Sequence, residues 1–462
     1  MYEEIKAMLY ENFEIDGEKI EAARAARAER RERAYKSAES VIGADGVAAL
    51  RELMTLYDEN LYLWAASLWD TERGGFYYSR SARDTEGFLP DIESTVQMMR
   101  FLSNSGSFEG RGEYYGDATP DFMKEKLVSF AQSLIDPEDG YVYHPQWGYN
   151  ISVSRRGRDL KWAVSMLRQF EVEPKYKTAL ERISEQGKCE EKNALLPEHL
   201  TSPKKFKEYL AQFEDPENKY CIYNWSYGLG NHLSSQTMQI KAAGEEYANI
   251  LFEWIERFQR EDNGLFEEGV CYKSLNGLMK IVLIYTSFGR PFPNAIKALE
   301  STIEVISGDE TPGWVACYYN PWITLHNLFG NIRKFGDAKK AEELESEVRK
   351  NAAELIKNTR RKSEVFKKSD GAFSYYPETS IASSQSAPVA PERLPEGDVN
   401  ATCLATTGTL VNMCLALGIK TIPIFCREDG EILLELIKNA NPIVKTAPIP
   451  EKLANRSKER QT

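Results

Sequence analysis

Sulfur chemistry is the first thing this chain does without. Its cysteines, Cys189, Cys221, Cys271, Cys317, Cys403, Cys414 and Cys426, are odd in number and include no CxxC pair. That spacing suggests neither a disulfide framework nor a zinc knuckle, leaving small buried thiols in a reducing compartment as the expectation. Long apolar runs are missing as well. No stretch approaches about 18 consecutive apolar residues, and the opening MYEEIKAMLYENFEIDGEKI lacks a basic start followed by an apolar segment. A soluble, cytoplasmic protein without a membrane partner is expected.

Basic charge is in deficit: Lys+Arg 58 against Asp+Glu 70 leaves a net charge of -12. Neutralising phosphates needs a basic face, so nucleic acid is not an expected partner. Histidine is scarce, with only His144, His199, His232 and His326. Walker, GxGxxG, HExxH and GxSxG patterns are absent, which lowers nucleotide, zinc-protease and α/β-hydrolase readings and leaves no cofactor or metal expected.

What is present is globular and helical. At 42% hydrophobic and 28% charged residues the chain cannot be a disordered or collagen-like polymer. Acidic turns that run into aromatics recur six times: DTERGGFYY (70–78), DPEDGYVY (136–143), DPENKYCIYNW (215–225), EDNGLF (261–266), DETPGW (309–314) and SDGAFSYY (369–376). Acid-Gly pairs form turns because Gly takes positive φ and Asp bonds its own backbone. The third has no Gly and is the weakest.

Helical periodicity brackets each turn. PDFMKEKLVSFAQSLI (120–135) precedes one. Segments apolar around much of their circumference follow, among them IESTVQMMRFL (92–102), LSSQTMQIKAA (233–243), SLNGLMKIVLIY (274–285), WITLHNLFGNI (322–332) and ATCLATTGTLVNMCLAL (401–417). Charged helices such as 337–359 alternate with them. The expected fold is all-α, an (α/α)₆ toroid over 61–440. An N-terminal helical segment, 1–60, packs on it, and a polar tail fills 441–462. The Ala/Arg/Glu stretch 21–36 is expected to be a solvated helix, and 380–397 a long loop.

The first and last inner segments open alike, Asp91-Ile92-Glu93-Ser94-Thr95 and Asp398-Val399-Asn400-Ala401-Thr402. In a closed ring these are neighbours, and two carboxylates across a sugar ring are what glycoside hydrolysis needs. The competing reading makes both Asp helix N-caps. Glu93 stands close by as a substrate-binding candidate. A second set combines NWSYGLGNH, with Trp225, Tyr227, Asn231 and His232, and YHPQWGYN, with His144 and Trp147. SRRGR, which contains Arg155, Arg156 and Arg158, completes it. β-Elimination from a uronate needs its carboxylate neutralised, a base and an acid, for which Asn231 with an arginine, and His232 with Tyr227 or Tyr143, are candidates. Tyr319 and the tryptophans offer faces for stacking on sugars. His326, inside an apolar segment, reads as a core histidine.

With DGYVYH and YGLGNH, the six turn-helix units resemble the (α/α)₆ carbohydrate-active enzymes, closest to unsaturated glucuronyl hydrolases. Here Ser226-Tyr227 separates Trp225 from Gly228-Leu229-Gly230-Asn231. The toroidal polysaccharide lyases are similar through the Asn/His/Tyr/Arg set. These resemblances imply an enzyme that cleaves glycosidic bonds in oligosaccharides, uronate-containing ones among them, by hydrolysis or by elimination. The pattern also resembles terpenoid-cyclase and prenyltransferase toroids, though without DxDD or a zinc ligand set, and a non-catalytic glycan-binding toroid is the remaining alternative.

Overall fold

The computed structural model describes residues 15–109, 114–185, 196–215, 217 and 226–450. The chain is mostly helical, as the periodicity requires. Among the described residues the named strands are Ser383–Ser384 and Ala387–Pro388, an antiparallel pair.

Six helices follow the six acidic turns: α1 Ile92–Ser105, α2 Val153–Gln169, α3 Ser226–Ser235, α4 Tyr272–Phe288, α5 Ala316–Phe335 and α6 Val399–Leu417. Each packs on the next in this order, and the first residues of α6 with its π turn Leu404–Gly408 pack on α1. α4 shows why they are interior: Leu275, Leu278, Ile281, Val282 and Ile284 are all buried, more than one stripe of the helix. α6 is apolar enough to cross a membrane by length and composition, yet 61% of it is buried inside the molecule.

A second helix precedes each turn: Asn60–Ser67, Asp121–Ser133, Pro203–Ala211, Glu245–Glu256, Ala295–Ser307 and Ala352–Glu364. Most of these bury a stripe. Ala295–Ser307 covers Ala298, Leu299, Thr302, Val305 and Ile306 and leaves its other face to solvent. Two expected helices divide. The 337–359 stretch breaks at Asn351, into Ala338–Lys350 and Ala352–Glu364. The 233–243 segment belongs to two helices interrupted at Gln236, so the interior helix of that unit begins earlier, at Ser226.

Four of the turns share one hydrogen-bond pattern. In the second, Asp136 N donates to Tyr141 O (2.8 Å), Gly140 N to Asp136 O (3.0 Å) and Tyr143 N to Leu134 O (2.9 Å). The same three-bond frame recurs around Asp70 and Gly74. Arg260 with Gly264 carries the inner pair of those bonds, and Lys368 with Gly371 carries all three in a turn one residue shorter, the outer bond running from Ser374 N to Phe366 O (2.9 Å). The glycines sit at φ 72 to 90, where a Cβ is strained. DETPGW departs from this frame: Gly313 is not among the positive-φ glycines. The turn at 215–225 lies almost wholly outside the described residues.

The N-terminal helix Gly17–Met54, kinked at Gly43, is docked rather than merely solvated. Arg27 pairs with buried Asp429 (2.7 Å) and with Glu59 (2.8 Å). Arg31 donates to the carbonyls of Pro423 (3.1 Å) and Ile424 (2.5 Å). The basic residues of 21–36 thus fasten the start of the chain to the helix Arg427–Asn439 near its end.

Candidate functional site

A cavity of about 650 Å³ is lined by all six helices α1 to α6 and by Ile381, Ser383, Ser384 and Gln385 of the long loop. That volume is in the range of small-molecule sites. The loop closes over it as a hairpin, with Gln385 and Ser386 at φ 50 and 70 forming the bend. Its fastenings are polar: Ser384 O accepts from Arg155 (3.3 Å), Gln385 Oε1 from Ser154 (2.9 Å) and Pro388 O from Gln146 (2.7 Å).

The wall is cationic. Arg100, Arg158, Lys161 and Lys280 line the cavity, and among the described lining residues there is no Asp or Glu. Arg158 is held by Glu93, which also meets Arg155 (3.3 Å) and accepts from Gln97 (3.2 Å). Burial would raise the Glu93 carboxyl, but Arg158 and Arg155 outweigh it and hold it below the ordinary range. Lys280 has the opposite balance: burial, then the like charge of Arg158, bring its ammonium down to about 7. Its Nζ lies 5.3 Å from the centre of the Tyr227 ring. This approach of α4 to α3 depends on Gly230, where a Cβ would stand 2.5 Å from the Lys280 Cβ.

Several buried polar atoms on this wall have no hydrogen-bond partner in the protein: Arg100 Nε, Arg158 Nε, Trp162 Nε1, Asn231 Oδ1 and Asn320 Oδ1. Buried polar groups are normally satisfied, so their concentration at one cavity marks a ligand-facing surface.

The sequence candidates divide around this cavity. Tyr227, Asn231 and Tyr319 line it, and Glu93 stands directly behind Arg158. Asp91 and Asp398 do not line it; both are N-caps. Asp91 accepts from Ser94 N (3.0 Å) and Ser94 Oγ (2.5 Å), with Arg155 at 3.5 Å. Asp398 accepts from Ala401 N (2.8 Å), Tyr375 N (3.0 Å) and Tyr78 Oη (3.0 Å). Burial raises both carboxyls, Asp398 to about 7, against those donors. The likeness of the two openings has a local cause. Thr95 and Thr402, four residues after each Asp, accept the N–H of Phe76 and Phe373 from the preceding turns (3.0 and 3.1 Å).

His144 is buried at 1% exposure, with Nε2 donating to Pro90 O (2.7 Å) and Nδ1 accepting from Gln146 N (3.2 Å). Burial pushes its pKa down to about 3, so it is a neutral brace that positions the residue before Asp91. Trp147 is stacked on it (4.1 Å) and carries the Arg155 guanidinium on its other contact (4.8 Å). Arg156 lies over Tyr141 (4.9 Å) and does not line the cavity. His232 is on an exposed face of α3, beside Phe213, and is likewise not a lining residue. Trp225 lies outside the described residues.

His326 departs from the core reading: half-buried, it lines the cavity, and burial lowers its pKa. Sequence reasoning also missed Arg100, Lys161, Trp162 and Lys280. The legible signal was a charge set among apolar neighbours within a helix, Lys280 in SLNGLMKIVLIY and Arg100 in MMRFL, because an ion on a core helix must face a partner or a cavity.

Among the described residues no group of three or more His, Cys, Asp or Glu side chains is placed to hold a metal, and the five described cysteines are free. No family model, curated protein or solved structure gives a match to this chain, so the cavity's own chemistry carries the functional argument.

Proposed function

We propose that this chain is a carbohydrate-active enzyme built as an (α/α)₆ toroid, which cleaves acidic oligosaccharides by β-elimination. Six alternating helix pairs, with contacts that run from α1 to α6 and back to α1, support the toroid. The observation that carries the function is the cationic, carboxylate-free cavity wall in a chain of net charge -12. Such a wall selects an anionic ligand.

In this reading Arg158 and Asn231 hold the uronate carboxylate and stabilise the charge that builds on it as the adjacent carbon loses its proton. Lys280, neutral in half of the molecules near pH 7, takes that proton. The Tyr227 hydroxyl protonates the leaving glycosidic oxygen. One C–H and one C–O bond break, a carbon–carbon double bond forms, and proton exchange with solvent restores Lys280 and Tyr227. Hydrolysis by Asp91 and Asp398 is less well supported, because their oxygens are engaged in capping and neither residue lines the cavity.

The test is incubation with oligouronates, following reducing ends and the ultraviolet absorbance of unsaturated uronates together. Both signals are expected to rise in step, and Lys280→Met should lower the rate by about 10²- to 10⁴-fold. The rate should also climb with pH through about 7 as Lys280 loses its proton. Reducing ends without absorbance would replace elimination by hydrolysis.

A further inference from the structure

The cations outnumber what one carboxylate needs, and they are not all at one depth. Arg158 lies in the second turn of α2, near the end that the hairpin covers. Trp162 follows it by four residues, just over one helical turn or about 6 Å farther from that end. There the Arg100 guanidinium, from α1, lies 4.8 Å from the centre of the Trp162 ring. Arg100 Nε and Trp162 Nε1 are both shielded from solvent and both lack a protein partner. Lys161, the residue before Trp162, has Arg158 and Arg100 as electrostatic neighbours. No salt bridge ties Arg100 or Lys161 to a carboxylate among the described residues, in contrast to Arg155 and Arg158, which share Glu93.

We infer that Arg100, Trp162 and Lys161 form a second anionic subsite, which binds a sulfate or carboxylate group on the sugar next to the reacting uronate. The inference rests on the elimination reading for the reacting ring and adds to it that the substrate carries at least two anionic groups. The physical reasons are direct. Two indole and guanidinium N–H donors, closed off from water, gain charge-assisted hydrogen bonds only when an anion arrives. A guanidinium packed on an indole face is held in place beforehand, so little ordering cost is left for binding. Arg100 and Lys161 act on each other as like charges, and no salt bridge ties either to a carboxylate among the described residues, so an entering anion relieves their repulsion.

Two measurements separate this inference from the reading beneath it. The first is titration of the full chain with inorganic sulfate, followed by tryptophan fluorescence. A saturable change that is lost in Trp162→Phe and in Arg100→Gln is expected; no saturable change would overturn the subsite. The second is calorimetry with two uronate disaccharides, one with a neutral neighbouring sugar and one whose neighbour carries a sulfate or carboxylate. The doubly charged sugar should bind at least tenfold more tightly, and Arg100→Gln should bring that ratio toward one. Lys161→Gln, at a more exposed position, should lower it in the same direction without a folding risk. Equal affinities in the unaltered protein, or an unchanged ratio in both variants, would overturn the inference. A sulfate response with no uronate binding would leave the subsite standing and remove the elimination reading instead. Sulfate and carboxylate partners are told apart by which of the two doubly charged sugars shows the larger ratio.

Discussion

Asp398 shows how a residue can have the attributes of a general acid and still be structural. It is fully buried, its carboxyl is raised to about 7, and it lies one hydrogen bond from a cavity-lining tyrosine. All of its partners, however, are donors from Ala401, Tyr375 and Tyr78, and together they tie α6 to the first and last turns. Its folded-state pKa lies above the ordinary value of 3.8. The stability that this group contributes is therefore complete below about pH 4 and is lost as pH rises through about 7. Asp398→Asn cannot ionise, so its melting temperature should fall less than that of the unaltered protein between pH 4 and pH 8. One lost N–H acceptor should cost about 1–3 kcal/mol at low pH, while turnover stays within about tenfold. Loss of turnover with unchanged melting would restore a catalytic role. Lys280 is the contrasting case. Its lowered pKa comes with a cavity-lining position, and neither was read from the sequence, where Lys280 is a lysine among apolar residues.

At the scale of the element, the repeating acidic turn does the organising. In the first two turns Asp70 and Asp136 accept from the N–H groups two and three residues later, and these bonds, with a glycine at positive φ and the aromatic residues that follow, produce a compact reversal between paired helices. The glycine is not interchangeable. At Gly140 a Cβ would stand 2.3 Å from the Lys177 carbonyl and φ is 74, whereas Gly148, at φ 58, has nothing within 4 Å. Gly148→Ala should therefore cost only the backbone term of about 1–2 kcal/mol, and Gly140→Ala distinctly more, read as a larger fall in thermal midpoint. Similar falls would mean that the close approach relaxes freely. The turns were legible in sequence because the chemistry is local. The helix boundaries at Asn351 and Gln236 were not, since each ends a segment whose residues all suit a helix and only packing on neighbours decides where it breaks.

At the scale of the whole molecule, both ends of the described chain converge. Arg27 of the N-terminal helix reaches Asp429, which is 1% exposed and also accepts from Cys426 N (2.9 Å). Removing one partner of a buried pair strands the other, so Asp429→Ala should destabilise by about 3–5 kcal/mol and leave kcat unchanged, as checked by denaturant unfolding beside the elimination assay. A loss under about 1 kcal/mol would show that the existing pair with Glu59 is enough to hold Arg27. What the sequence determined by itself is the helical class, four of the acid-Gly turns and the aromatic and polar stock of the interior. All of these follow from local rules of spacing and turn chemistry. Only the tertiary structure decided which of those residues face the cavity. Asp91, Asp398, His144 and Arg156 went to caps, braces and stacking. Arg100, Lys161, Trp162, Lys280 and His326 became the wall, because facing depends on the rotation of each helix against its two neighbours, and no interval within one segment records it.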